Sequence, residues 1–294
     1  MHFQRTLNNK IECKGIGLHS GRKIKMVIKP AAPDTGFVFI RNDLAGMNEI
    51  KADLSNVTET LLATSLGTNG TRVSTVEHLL SAFRGVGVDN ALIEIDGQEI
   101  PIMDGSALPF VTIMKNIGTR IQNRQRRFLV VKREVSVSGQ NEKASLLPSD
   151  EFRITYTMDY KHPLIGEQTY HMLFTYDHYQ KQICAARTFG FLKDVEHLQA
   201  KGLALGGSLQ NAIILDDNKI INKEGLRCPD ELVKHKVLDA IGDLFLLGLP
   251  IMGHFIGYKS GHRLNNLLLR EMMLNPENYE IVSLDNVKRV ANAG

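Results

Sequence analysis

Apolar and polar residues follow two different periods along this chain, and the switches between them outline its elements. Residues 23–29 alternate with a period of two, as a strand half buried in a sheet does. Residues 36–40 and 90–95 are further strand candidates, the second closed by an Asp96-Gly97 turn. Residues 71–83 change to a helical period that puts Val76, Leu79, Leu80 and Phe83 on one face. Ser74 and Glu77 have capping-box spacing, which predicts a helix start near Ser74. A second helix is predicted over residues 108–117. Residues 118–127 are polar and basic and are expected to be a linker. Strands are expected over 128–137, 152–158, 170–175 and 251–258. Helices are expected over 194–201, 230–247 and 264–273. Both halves run strands first and helices after, an order that argues for an α+β fold rather than a doubly wound parallel sheet. The expected domains are residues 1–121 and 128–294.

Composition narrows the classes. The chain has 294 residues, enough for two cores, with 43% hydrophobic and 23% charged residues, which argues for a globular rather than a disordered chain. A formal charge of +3, with basic residues scattered, argues against a nucleic-acid partner. Arg120, Arg124, Arg126 and Arg127 cluster and suit a phosphate, but charge runs usually face water, so a solvated linker is expected. Cys13, Cys184 and Cys228 are odd in number and far apart. Reduced thiols are expected rather than disulfides or a cysteine metal site. The first six residues lack the apolar core of a signal peptide. The most apolar run, residues 244–256, is interrupted by Gly248, Pro250, Gly253 and His254 and is too short to span a bilayer. A cytoplasmic monomer without stable membrane insertion is expected.

Candidate chemistry begins at His235-Lys236-Val237-Leu238-Asp239-Ala240-Ile241-Gly242-Asp243. At about 100° per residue, His235 and Asp239 share a helix face and Asp243 follows one turn on. Imidazole and carboxylate at this spacing can reach one zinc ion, but an exposed His–Asp helix pair is the commoner meaning of the pattern. A catalytic zinc site takes three protein ligands and keeps one position open. His78, in Ser74-Thr75-Val76-Glu77-His78-Leu79, is a candidate third ligand, with Glu77 beside the open position. Alternatively Glu77 only completes the capping box. His262, in Ser260-Gly261-His262-Arg263-Leu264-Asn265, is a candidate partner for Asp243, since a carboxylate raises and orients an imidazole. The stretch Ala185-Ala186-Arg187-Thr188-Phe189-Gly190-Phe191 suits either a site wall or a buried strand end.

Together these segments resemble one family, the UDP-3-O-acyl-N-acetylglucosamine deacetylases of Gram-negative bacteria. Gly15-Ile16-Gly17-Leu18-His19-Ser20-Gly21 and Glu99-Ile100-Pro101-Ile102-Met103-Asp104-Gly105-Ser106 add to the match, which covers nearly the whole chain in order. The resemblance implies two similar α+β domains, each a sheet with a pair of helices, the helices packed between the two sheets. It implies His78, His235 and Asp239 as ligands of Zn2+, with Fe2+ equally suited to such donors. Glu77 would be the general base. Thr188 would donate to the oxyanion, and His262, held by Asp243, would protonate the leaving amine. Lys236, Phe189, Leu18 and His19 would face the substrate, and a glycine-rich insert over residues 201–214 would form an acyl tunnel. The implied reaction is hydrolysis of the acetamide of an acylated UDP-N-acetylglucosamine in lipid A biosynthesis. The alternative is a metal hydrolase acting on a soluble, non-acylated nucleotide sugar. Ala63 departs from the cysteine that relatives often carry there.

Overall fold

The computed structural model describes residues 2–46 and 48–283. Six helices are described: α1 (Glu77–Val86), α2 (Leu108–Ile117), the short α3 (Tyr176–His178), α4 (Leu192–Ala200), α5 (Glu231–Leu244) and α6 (His262–Leu274). They share the chain with two main sheets, so the fold is α+β.

The first sheet has the spatial order Ile11–Ile16, Lys23–Pro30, Ala91–Ile95, Phe37–Arg41, Glu49–Lys51. Phe37–Arg41 and Ala91–Ile95 run parallel, and the other neighbours are antiparallel. The period-two pattern puts Ile24, Met26 and Ile28 on the buried face, with Phe37, Phe39, Ile93 and Ile95 beside them. Phe37 stacks on Phe83 of α1 at 4.5 Å between ring centroids, which ties sheet to helix.

The second sheet is built around Ile251–Tyr258. This strand pairs antiparallel with Lys143–Leu147 and parallel with Phe152–Tyr160 and Arg127–Val131. Alternate residues Ile251 and Phe255 are buried under α5 and α6, which contribute Leu238, Leu264, Leu268 and Met272 to the core. Helix α1 lies directly against α5, α2 against α1, and α6 against α5. Helices α1, α2, α5 and α6 therefore make the layer between the two sheets.

Four local expectations change. The strand expected over 128–137 is two, Arg127–Val131 and Val135–Ser138. Residues 119–125 are not a linker but a strand, Thr119–Gln125, antiparallel to Phe3–Leu7. Its residues are all exposed or half-buried, so no apolar period marks it. The arginine cluster is not wholly solvated either. Arg126 is buried, with Nη2 at 2.5 Å from Asp89 and Nη1 donating to Tyr176 Oη at 2.8 Å, and Arg124 pairs with Asp34. The long hairpin strand runs Gly166–Leu173 rather than 170–175. For the domains we propose the division 1–121 and 128–294. Among the described residues no strand pairing joins one part to the other. Residues 284–294 of the second part lie outside the described residues.

Candidate active site

Helix α1 begins at Glu77, not near Ser74. Ser74 is held in extended backbone: its N–H donates to the Gln98 carbonyl and its own carbonyl accepts from Ile100. The Ser74 hydroxyl meets Ser65 Oγ, and Glu77 Oε2 accepts the N–H of Thr64 at 3.0 Å. The capping box does not form, and the Glu77 carboxylate turns towards the interior.

Helix α5 is buried on nearly every side, with His235, Asp239 and Asp243 at 2%, 5% and 2% exposure. This excludes the exposed His–Asp pair. The close approach of α1 depends on Gly242, where a Cβ would lie 2.0 Å from the Glu77 carbonyl oxygen. That contact places His78 of α1 opposite the first turns of α5.

His78 Nε2 and His235 Nε2 lie 3.4 Å and 3.3 Å from the same atom, Asp239 Oδ1. The two rings meet edge to face, 5.0 Å between centroids. His235 Nδ1 lies 3.1 Å from the Ala186 carbonyl, which assigns the proton to Nδ1 and leaves Nε2 free for a metal. Asp239 Oδ2 accepts from Lys236 Nζ at 2.9 Å, but Oδ1 is buried with no hydrogen-bond partner. A buried carboxylate oxygen facing two imidazole nitrogens is costly unless a cation sits among them. One donor atom from each residue lies within 4.8 Å of the others, a group that can hold a metal ion. Burial disfavours protonated His235 and, although Asp239 acts against it, brings its pKa to about 3, so the ring is neutral, the form that can bind a metal. Burial alone would raise Asp239. His235 and Lys236 outweigh that and hold it well below the usual range.

Beside this group, His262 Nδ1 lies 2.9 Å from Asp243 Oδ2 and Nε2 lies 3.8 Å from Glu77 Oε1. Burial opposes a charged ring. The carboxylates of Asp243 and Glu77 prevail and lift His262 to about 10. Burial also raises Glu77, with the nearby His262 and His78 acting the other way. Asp243 has its remaining oxygen occupied: Thr64 Oγ1 donates to Oδ1 at 2.6 Å, and Asn265 Nδ2 donates to Oδ2 at 2.9 Å.

Thr64 thus orients both Glu77, through its N–H, and Asp243, through its hydroxyl. Thr64→Val keeps shape and N–H but leaves a buried carboxylate oxygen unpaired, an effect of about 1–3 kcal/mol. We expect kcat to fall about tenfold, with KM and metal content little changed and most of the rate restored in Thr64→Ser. Steady-state kinetics on the three proteins test this, and an unaltered kcat in Thr64→Val would discard the role.

A cavity of about 350 Å³ gathers Glu77, His78, His235, Asp239, His262, Thr188, Phe189, Lys236, Leu18 and His19. Of the site residues expected from the sequence, Asp243 alone stands behind its wall. Lys236 Nζ lies 5.6 Å from the centre of the Phe189 ring. Tyr160 also lines the cavity and packs edge-on to Phe189. The segment around Thr188 is held by a buried ion pair: Arg187 Nε donates to Glu231 Oε1 at 2.8 Å. Glu231 also accepts the N–H groups of Arg187 and Arg227. This clamps the start of α5 to the strand Phe189–Phe191, so that the Ala186 carbonyl meets His235.

Thr64, Tyr160 and the Arg187–Glu231 pair were not legible in the sequence. Arg187 and Glu231 stand 44 positions apart, with no spacing to connect them. Thr64 lies in a stretch without periodicity. The glycine-rich segment expected as a tunnel lies between α4 and Ile213–Leu215, a strand that pairs parallel with Phe189–Phe191.

The family model of the UDP-3-O-acyl N-acetylglycosamine deacetylases matches residues 4–274. A protein of that name from Syntrophus aciditrophicus is 57% identical over 286 residues, 97% of this chain and 91% of its own length. Its counterpart in Hahella chejuensis is 48% identical, covering 96% of this chain and 94% of its own. That of Haemophilus influenzae strain 86-028NP is 48% identical, covering 98% and 95%.

Proposed function

Because the chain belongs to the UDP-3-O-acyl N-acetylglycosamine deacetylase family, we propose that its buried His78–His235–Asp239 group holds Zn2+ and that Glu77 and His262 carry out the proton transfers of acetamide hydrolysis. The protein is a hydrolase of lipid A biosynthesis that removes acetate from a UDP-3-O-acyl-N-acetylglucosamine. The observation that carries the site reading is the orphaned Oδ1 of Asp239 between two imidazole Nε2 atoms. Fe2+ suits the same donors, and metal analysis of the purified protein distinguishes the two.

A divalent ion there supplies Lewis acidity, which polarises a carbonyl and makes water acidic near neutral pH. The chain's own groups do the rest. Glu77 takes the proton of the attacking water. His262, kept cationic by Asp243, stabilises developing negative charge and gives a proton to the leaving amine nitrogen. The Thr188 hydroxyl donates to the oxyanion. Lys236 offers a cation to the diphosphate, Phe189 packs on the sugar, and Leu18 and His19 face the substrate. The insert around α4 receives the acyl chain. All these groups come from one chain, so a monomer suffices, and the cytoplasm is its proposed compartment.

Acetate release from an acylated UDP-N-acetylglucosamine tests the reading, first on metal-stripped protein and then with one equivalent of Zn2+. We expect activity only with metal and little on the non-acylated sugar. Equal activity on both would favour a hydrolase of soluble nucleotide sugars instead.

The pH profile follows from the two shifted groups. Glu77 must be ionised, so activity rises with pH through its elevated pKa. His262 must be protonated, so activity is lost as pH climbs through about 10. A bell is expected, and His262→Gln should be slow and lack the alkaline limb. An alkaline limb that survives in this variant would assign it to another group.

A further inference from the structure

We propose that Glu99 is a positioning residue for the deacetylation: its buried carboxylate fixes the turn that carries Leu18 and His19 and so sets substrate affinity without touching the substrate. Glu99 opens the motif over residues 99–106, which takes no part in the proton transfers. It is 2% exposed, a costly place for a carboxylate that lacks donors. Glu99 has three. Oε1 accepts the N–H of His19 at 2.8 Å and the Thr75 hydroxyl at 3.3 Å, and Oε2 accepts the N–H of Ser20 at 2.8 Å. Hydrogen bonds from backbone N–H groups to a carboxylate are among the stronger ones. Two consecutive N–H groups on the two oxygens of one side chain fix the direction of the turn as well as its distance.

The carboxylate stands on a firm base. The Ile100 N–H donates to the Ser74 carbonyl and the Ile102 N–H to the Ile16 carbonyl, so the backbone around Glu99 is tied on both sides. Gly17 allows the close approach, since a Cβ there would lie 2.3 Å from Glu99 Oε2 and 2.3 Å from Ser20 Oγ. Thr75 offers its hydroxyl from a left-handed backbone, φ +58°, which a β-branched residue keeps only where its surroundings hold it.

The turn supports more than itself. Leu18 and His19 line the cavity of the metal group, and Glu99 lines the neighbouring cavity behind His19. The N–H groups of Leu205 and Gly206 donate to the carbonyls of His19 and Leu18, so that segment hangs on the same turn. The catalytic groups depend on other ties: the Glu77 carboxylate on the Thr64 N–H, and the approach of α1, which carries His78, on Gly242. Loss of the Glu99 carboxylate should therefore weaken substrate binding and spare the chemical step. The inference rests on the deacetylase reading, which supplies the substrate whose binding is measured.

The test is steady-state acetate release by the metal-loaded full chain on an acylated UDP-N-acetylglucosamine, with metal content and urea unfolding measured alongside. In Glu99→Gln an amide NH2 replaces one acceptor and faces an N–H of the turn. KM is expected to rise about tenfold, the scale for loss of a hydrogen bond to a charged group. Metal content should be unchanged and kcat within about twofold, the pattern of lost binding rather than lost chemistry. Gly17→Ala keeps the carboxylate but drives it off the turn, and should raise KM in the same way. It decides the matter if Glu99→Gln fails to fold. A fall in kcat at unchanged KM, with easier unfolding in urea, would make Glu99 a matter of stability alone and overturn the proposal. Wild-type KM in the variants also overturns it while leaving the deacetylase reading intact. Absence of release by the wild-type protein defeats that reading and this inference with it.

Discussion

Glu77→Gln is expected to lower kcat by about a hundredfold to ten-thousandfold, the range for loss of a positioned general base, while the protein keeps its metal. The substitution is nearly isosteric. The amide oxygen can still accept the Thr64 N–H, so the start of α1 should hold its place. Glu77 is absent from the group of atoms facing Asp239 Oδ1, so metal affinity should be preserved. What disappears is a carboxylate whose pKa burial has raised, and with it the means of taking a proton from water. Metal content and single-turnover acetate release, measured on one preparation, separate these effects. A near-normal rate would remove Glu77 from the chemistry. Loss of metal together with rate would make it a ligand.

Gly242→Ala should damage both stability and the metal site. The added methyl would stand 2.0 Å from the Glu77 carbonyl oxygen, 2.7 Å from its carbonyl carbon and 2.9 Å from its Cα. These are backbone atoms, so no rotamer change relieves the contact, and α1 must move away from α5. Overpacking of this kind costs about 1–3 kcal/mol, sometimes more. The same displacement carries His78 away from His235 and Asp239, so affinity for Zn2+ should drop as well. Urea unfolding and a competitive metal titration measure the two effects. Wild-type values in both would mean that the helix contact yields more easily than the geometry implies.

Much of the fold could be read along the chain, for a local reason. A strand with one buried face must alternate, and Lys23–Pro30 does. A helix over a core must repeat its apolar residues near 3.6, as α1 does. Thr119–Gln125 escaped because its side chains face solvent or are only half covered, so its pairing with Phe3–Leu7 leaves no apolar period to read. Ser74 and Glu77 misled because capping-box spacing needs a free Ser74, and its pairing alongside Glu99 takes it.

For the site, the order of motifs identified the family before any geometry, and the i, i+4 spacing of His235 and Asp239 put both on one helix face. What the sequence by itself determined is the set of donor groups and the local period that carries each one. Whether those donors form a centre was decided by tertiary contact. Burial of α5 turned a pattern common on exposed helices into a desolvated pair that can hold a metal ion, and Gly242 let α1 bring His78 within reach. Thr64 and the Arg187–Glu231 pair then oriented the remaining groups from positions far along the chain. The reason is physical. A side chain's period along the chain is a local property, whereas the loss of water around a charge, and the partner that compensates for it, exist only once distant segments have packed.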